Sequence, residues 1–155
     1  MDFKDVRSKY KEHEGKFNLP NFEKINNDFE VDKIERDSEA FLRAVRKVMM
    51  EKIVNSMSFV DMLLNPVNAP RMYYSYIKNM SLQDKEDIEK IYSVLADLSV
   101  ASLALEIDTG DEKEAKLIKE TYEKWSEIKP LFKKVIGHMM EPLENNTKKE
   151  KSYFG

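Results

Sequence analysis

The chain has 155 residues, of which 41% are hydrophobic and 35% are charged, and its formal net charge is −3. This balance is typical of one globular domain with a sizeable core and a heavily charged surface, and it argues against a protein that binds nucleic acid with its whole surface. The absence of cysteine excludes disulfides, thiolate zinc sites, iron–sulfur clusters and cysteine nucleophiles.

The scarcity of turn-forming residues predicts helices rather than strands. The chain contains only 4 glycines and 5 prolines, whereas an all-β protein of this length needs many tight turns. Lysine, glutamate, leucine, methionine and alanine are plentiful, and these residues lose little side-chain freedom in a helix. The composition therefore predicts an all-α fold.

Residues 1–36 predict an N-terminal arm with two short amphipathic segments. Their apolar residues recur at helical spacing, as Phe3, Val6 and Tyr10 and then as Phe22, Ile25 and Phe29. Gly15 is predicted to end the first segment, and Asn21 to cap the second. The arm is expected to lay its aromatic residues on the body of the domain, and docking on another subunit is the alternative.

The first long helix is predicted to start at a cap on Asp37 or Ser38 and to run to about Leu64. Its apolar residues form a drifting stripe: Phe41, Val45, Val48, Met49, Ile53, Val60, and Leu63 or Leu64. Asn65 and Pro66 are predicted to end it, because proline lacks an amide donor and disfavours helix in the residue before it.

The second long helix has a clear predicted start at Ser81, which forms a capping-box pattern with Asp84. Its predicted core positions follow a heptad-like spacing: Ile88, Ile91, Leu95, Leu98, Ser102 and Leu105. Residues 94–107 are apolar almost all round, so this helix is predicted to be the central and most buried element.

Two further helices are predicted after residue 110, separated by a cap at Ser126 with Pro130 in the first turn of the last helix. Pro142 is predicted to end that helix, and residues 143–155 are expected to form a flexible tail. The sum is an antiparallel bundle of about four main helices, with an N-terminal arm and short accessory helices, in a single domain over residues 1–142.

The corner between the two long helices reads NPVNAPRMYYSYIKNM over residues 65–80. If Asn68 caps a helix there, Arg71, Tyr74 and Lys78 share one face and suit an anion. The favoured alternative is structural, with the other tyrosines packed into the bundle and the two cations as ordinary surface charges.

A second group of cations, Arg43, Arg46 and Lys47, lies at adjacent helical positions. This basic face could contact phosphates, with an affinity that depends on salt. A solvated face without a ligand is the favoured alternative.

Met50 and Met57 fall off the main apolar stripe, and their spacing of seven places them on one helix face. If they are exposed, they predict an adaptable patch for a partner or a second copy.

Asp97 lies in the most apolar stretch of the chain. A buried carboxylate there would have a raised pKa and could serve acid–base or metal chemistry, and an exposed edge position is the favoured alternative. The two histidines show no ligand spacing. We therefore predict no catalytic residue, no metal ligand and no cofactor.

These observations favour a non-catalytic helical protein-interaction module with a protein partner or a second copy as its ligand. A nucleic-acid or ribonucleoprotein-associated factor that uses a local basic face is the first alternative, and a small metal-dependent enzyme with a carboxylate site is the second. The first 15 residues are too charged for a signal peptide, and no run reaches the roughly 20 apolar residues that span a bilayer. We therefore expect a cytoplasmic protein without a membrane partner.

Overall fold

The computed structural model describes residues 2–35 and 40–141, and the regular structure in these ranges is entirely helical. In chain order the helices are α1 (Phe3–Phe17), α2 (Phe22–Phe29), α3 (Phe41–Leu64), α4 (Tyr74–Ile77), α5 (Leu82–Ile107) and α6 (Asp111–Met139). Single 3-10 turns occur at Val31–Lys33, Pro66–Asn68 and Arg71–Tyr73. The predicted all-α fold is confirmed.

The long helices α3, α5 and α6 form an antiparallel bundle in which each packs against the other two. Arg43 near the start of α3 contacts Glu106 near the end of α5, so these two helices run in opposite directions. His138 near the end of α6 contacts Asp84 near the start of α5, which gives the same relation between α5 and α6. The short connection between α5 and α6 favours this antiparallel arrangement.

The buried stripes of α3 and α5 follow the predicted spacing. All six predicted core positions of α5 are buried: Ile88, Ile91, Leu95, Leu98, Ser102 and Leu105. On α3, the predicted stripe is buried except for Val48 and Leu64, which are half-buried against the same core. These stripes were predictable because each one depends only on the helical repeat.

The start of α5 also forms as predicted. The Asp84 amide donates a hydrogen bond of 3.1 Å to the Ser81 hydroxyl oxygen. The Ser81 amide donates in return to the Asp84 carboxylate over 3.0 Å. This reciprocal pair satisfies two amides that the first turn of a helix leaves without partners.

The N-terminal helices begin at polar caps. The Asn21 side-chain oxygen accepts hydrogen bonds from the first-turn amides of α2, as predicted. The prediction that Gly15 ends the first helix is wrong, because α1 continues to Phe17 and ends at Asn18. Asn18 has a φ of 53°, a left-handed conformation that asparagine tolerates well. Glycine inside a helix costs only about 1 kcal/mol, which packing can offset.

The arm residues Phe22, Ile25 and Phe29 are buried in the same core as the long helices. The Phe29 and Trp125 rings lie 5.7 Å apart, which joins α2 to α6. The Lys52 ammonium lies 5.2 Å from the Trp125 ring, so a cation from α3 covers this contact. Within the described residues, the arm packs on its own chain, as the favoured interpretation predicts.

The prediction of two helices separated near Ser126 is wrong, because α6 is continuous. The Ser126 hydroxyl donates to the Tyr122 carbonyl over 2.9 Å and so stays within the helix instead of capping a new one. Pro130 lies inside α6 on an exposed position. Ile128 before it and Val135 after it are both buried, and their packing holds the helix together through the proline.

Helix α5 is central, as predicted, because it packs against both α3 and α6, but its apolar stretch is not buried on all sides. Its C-terminal half packs on α3 and α6 along one side only, and Val100, Leu103 and Ile107 on the other side are exposed. An apolar sequence does not bury a helix face unless a neighbouring element covers it.

Some predictions fall on residues outside the described ranges, namely Asp37 and Ser38, the helix end at Pro142 and the tail at 143–155. Helix α3 ends at Leu64 as predicted, but it begins at Phe41, after Ala40 and not after a cap at Asp37 or Ser38. Among the residues that are described, no helix combines the length and the hydropathy that crossing a bilayer requires.

Candidate interaction surfaces

The predicted basic face is not a continuous surface, because Arg46 is buried with only 2% of its surface exposed. Its guanidinium donates to the Glu114 carboxylate over 2.5 Å, to the Ser102 hydroxyl over 2.6 Å and to the Glu106 carboxylate over 2.8 Å. The sequence placed Arg46 on the surface because cations usually are exposed. A buried guanidinium requires partners such as these, and they come from α5 and α6.

Arg43 extends the same network at the surface. It donates to the second oxygen of Glu106 over 2.8 Å, so Glu106 bridges two guanidinium groups. Hydrogen bonds from Arg46 and Arg43 lower the pKa of Glu106 to about 2. On the other side, the Thr109 hydroxyl donates to Glu114 over 2.8 Å. Of the predicted basic face, only Lys47 remains exposed without an ion pair to another described residue.

The predicted anion site at the corner lacks the helix that it needs. Asn68 ends a 3-10 turn and caps nothing, and α4 is a single turn of four residues. Arg71, Tyr74 and Lys78 are nevertheless exposed, as the division of this segment into two faces predicts. The side chains of the opposite face, which is predicted to pack against the bundle, are half-buried: Tyr73, Tyr76, Ile77 and Met80.

The predicted methionine patch is not exposed. Met50 is buried in the core, and Met57 is half-buried with its sulfur 3.9 Å from the Ser99 hydroxyl. These two side chains therefore contribute mainly to helix packing, and Met50 has only a small part of its surface exposed.

Asp97 is exposed, so the favoured interpretation of this residue is confirmed. Among the described residues, no group of three or more His, Cys, Asp or Glu side chains is placed to hold a metal ion. The carboxylate site that the enzyme alternative requires therefore has no geometric support.

The exposed large apolar side chains fall into two groups, which the sequence did not separate. The first group, which we call the side surface, lies on α5 and α3 and consists of Val100, Leu103, Ile107 and Val54. The second group, which we call the end surface, lies where α3, α5 and α6 meet and consists of Val67, Met72, Tyr74, Leu82 and Met140. Phe3 is exposed apart from both groups and packs edge-on against Phe22.

The side surface borders a groove of about 460 Å³ between α3 and α5. Met50, Val54 and Leu103 provide its apolar lining, while Lys47 and Glu51 stand on its α3 side. The ion-pair network of Arg46 forms part of its floor. This groove is apolar in the middle and charged at the edge, which is the usual distribution in a protein-binding surface.

A larger groove of about 850 Å³ separates α3 from residues 29–35. Three lysines and three glutamates line it: Lys33, Lys47, Lys52, Glu30, Glu35 and Glu51. Because the two signs are balanced, this groove does not favour a ligand of either charge.

The end surface is supported by a polar contact between α5 and α6. The His138 Nδ1 atom lies 2.8 Å from a carboxylate oxygen of Asp84. Burial raises the pKa of Asp84, but hydrogen bonds from the Ser81 amide and from His138 outweigh that effect and lower it below the ordinary value of 3.8. The ionised carboxylate therefore stabilises the junction of the two helices.

We expect Asp84→Asn to lower the free energy of unfolding by about 1 kcal/mol at neutral pH, because it weakens the helix cap and the His138 contact. A carboxyl group whose pKa is lower in the folded state than in the unfolded state stabilises the protein at pH values above its unfolded-state pKa. This stabilisation is lost as the pH falls through the folded-state pKa. The difference between wild type and variant should therefore persist at neutral pH and shrink below about pH 3.8. Urea unfolding measured at several pH values tests this, and a difference that does not change with pH would contradict it.

Comparison of the chain with protein-family models, with curated proteins and with solved structures found no match. The sequence did carry a signal for the side surface, because Val100, Leu103 and Ile107 repeat at spacings of three and four beside the core stripe. The apolar character of residues 94–107 predicts burial instead.

Proposed function

We propose that this chain is a non-catalytic helical module that binds protein, and that it self-associates through the side surface. The observation that supports this most directly is the exposure of Val100, Leu103 and Ile107, at 65%, 64% and 90%. Burial of such side chains stabilises a complex by about 1.5–3 kcal/mol each when it is complete. A contiguous apolar patch with a polar rim is characteristic of an interaction site.

The spacing of these residues favours a helix as the contacting element. Val100, Leu103 and Ile107 lie three and four positions apart, which is the pattern of a helix–helix seam. Ala104 is exposed beside Leu103 and is small, so the backbone of another helix can approach closely. Val54 extends the apolar area from α5 onto α3.

The charges next to the seam favour a second copy as the partner. Lys47 and Glu51 are exposed one turn apart on α3, and they form no ion pair with each other. In a dimer with twofold symmetry, Lys47 of one copy can face Glu51 of the other copy. The symmetry then also places Glu51 of the first copy opposite Lys47 of the second. Since stable interfaces bury about 800 Å² on each partner and this patch is small, we expect a reversible dimer that dissociates at about micromolar concentration.

Replacing Leu103 with aspartate should abolish self-association, because it places a charge in the middle of the seam. Sedimentation velocity over a range of concentrations should show wild type moving from 18.3 kDa toward twice that mass. The Leu103→Asp variant should stay at the monomer mass throughout, and its melting temperature should be nearly unchanged because the side chain is exposed.

Leu82→Asp is the matched control, because Leu82 is an exposed leucine on the same helix but belongs to the end surface. It should dimerise like wild type. A wild-type protein that is monomeric at the highest concentration, or a Leu103→Asp variant that still dimerises, would rule out self-association through this surface.

The nucleic-acid alternative stays a prediction with reduced support. Charge reversal at Arg43 or Arg46 would disturb the ion-pair network, so it would not separate a loss of nucleic-acid binding from a change in the fold. Lys47→Glu is the better test, because Lys47 is exposed and outside the network. Binding of a nucleic acid that weakens with salt and with this substitution would favour the alternative.

A further inference from the structure

The apolar side chains of the end surface are largely exposed to solvent. Val67 and Leu82 are 90% and 80% exposed, and Met72 and Met140 also project into solvent. Neither the 460 Å³ groove nor the 850 Å³ groove includes any residue of the corner between α3 and α5. These apolar side chains line neither of the two grooves, and they are exposed at the end of the bundle where α3 and α6 end and α5 begins.

The corner is also positively charged. Arg71, Lys78 and Lys85 are exposed, and none of them forms an ion pair with another described residue. Between positions 65 and 85 the only carboxylate is that of Asp84, which is buried and bonded to Ser81 and His138. The exposed carboxylates that flank this segment in the chain are those of Asp61 and Glu86, and Glu141 follows Met140.

Tyrosines accompany the cations and the aliphatic side chains. Tyr74 is exposed, while Tyr73 and Tyr76 are half-buried at the edge of the core. Tyrosine is enriched at membrane–water interfaces, because its ring is apolar and its hydroxyl is polar. Projecting apolar side chains, interfacial tyrosines and unpaired cations together match the composition of surfaces that bind lipid headgroups.

We infer that the end surface docks on an anionic lipid membrane. Val67, Met72 and Leu82 enter the boundary between headgroups and acyl chains, and Arg71, Lys78 and Lys85 contact the anionic headgroups. The unpaired cations of the corner complement the negative charge of such a membrane surface. The inference departs from the expectation of no membrane partner, which was based on the absence of a spanning segment.

Vesicle co-sedimentation tests this inference, using phosphatidylcholine vesicles with and without phosphatidylserine. Wild type should bind only the vesicles that contain phosphatidylserine, and more weakly as the salt concentration rises. Each serine substitution at Arg71, Lys78 or Lys85 should weaken binding about fivefold. The double variant Val67→Ser/Leu82→Ser should weaken it at least about tenfold.

The matched control is Val100→Ser/Leu103→Ser, which removes one valine and one leucine side chain from the side surface, as the test variant does from the end surface. At a protein concentration where wild type is monomeric, this control should bind vesicles like wild type. Failure of wild type to bind anionic vesicles at low salt, or undiminished binding by the end-surface variants, would overturn the inference. Capture of a protein through the end surface without vesicle binding would also overturn it. None of these outcomes bears on self-association.

Discussion

Replacing Glu114 with alanine should lower the free energy of unfolding by about 3–5 kcal/mol, because the Arg46 guanidinium would stay buried without its closest partner. Arg46 and Glu114 are 2% and 1% exposed, and their contact joins α3 to α6. Glu106 and Ser102 would still accept hydrogen bonds from Arg46. Among the described residues, the single carboxylate of Glu106 would then be the only negative charge in contact with the two guanidinium groups of Arg46 and Arg43. Chemical denaturation of wild type and variant measures the difference.

Glu112→Ala is the matched control, because Glu112 is exposed in the same first turn of α6. It should cost less than about 0.5 kcal/mol. The double variant Arg46→Met/Glu114→Leu should regain much of the lost stability, because a buried ion pair is often replaceable by apolar side chains of similar volume. A Glu114→Ala variant as stable as the Glu112→Ala control would show that the buried pair contributes nothing.

Replacing Pro130 with alanine should raise the free energy of unfolding by about 2 kcal/mol. Proline inside a helix costs about 3 kcal/mol relative to alanine, since it removes a backbone hydrogen bond and its ring crowds the preceding turn. Part of this increase in the free energy of unfolding is offset, because alanine allows the unfolded chain more conformational freedom than proline does. Urea denaturation measures the change directly.

Glu127→Ala serves as the comparison, because Glu127 is exposed nearby on α6 and its substitution leaves the backbone hydrogen bonds unchanged. It should change stability by less than about 0.5 kcal/mol. A Pro130→Ala variant that is no more stable than wild type would contradict this prediction. It would show that the proline ring stabilises the observed path of α6.

The two surfaces can be studied independently, because each contains an exposed leucine on α5. Leu82 belongs to the end surface and Leu103 to the side surface. A substitution at one is therefore the natural control for the other, in the same helix and with similar exposure. This design separates a loss of self-association from a loss of lipid binding.

The sequence by itself determined the features that depend on local chemistry. The Asn21 and Ser81 caps formed because a short polar side chain reaches the amides of the turn that follows it. The core stripe of α5 formed at the predicted positions because the helical repeat aligns them whatever packs against them. Arg71 and Lys78 are exposed as predicted, although the corner forms 3-10 turns and one helical turn instead of the continuous helix on which that prediction depended.

Only the tertiary structure decided which exceptions to these rules the chain tolerates. Pro130 stays in a helix because buried neighbours before and after it stabilise the continuous form. Arg46 is buried because Glu114, some 68 residues away in the chain, supplies its counter-charge. Leu103 is exposed because no described element packs over that side of α5. Each of these outcomes depends on contacts between residues that are distant in the chain, and the local spacing of side chains carries no information about such contacts.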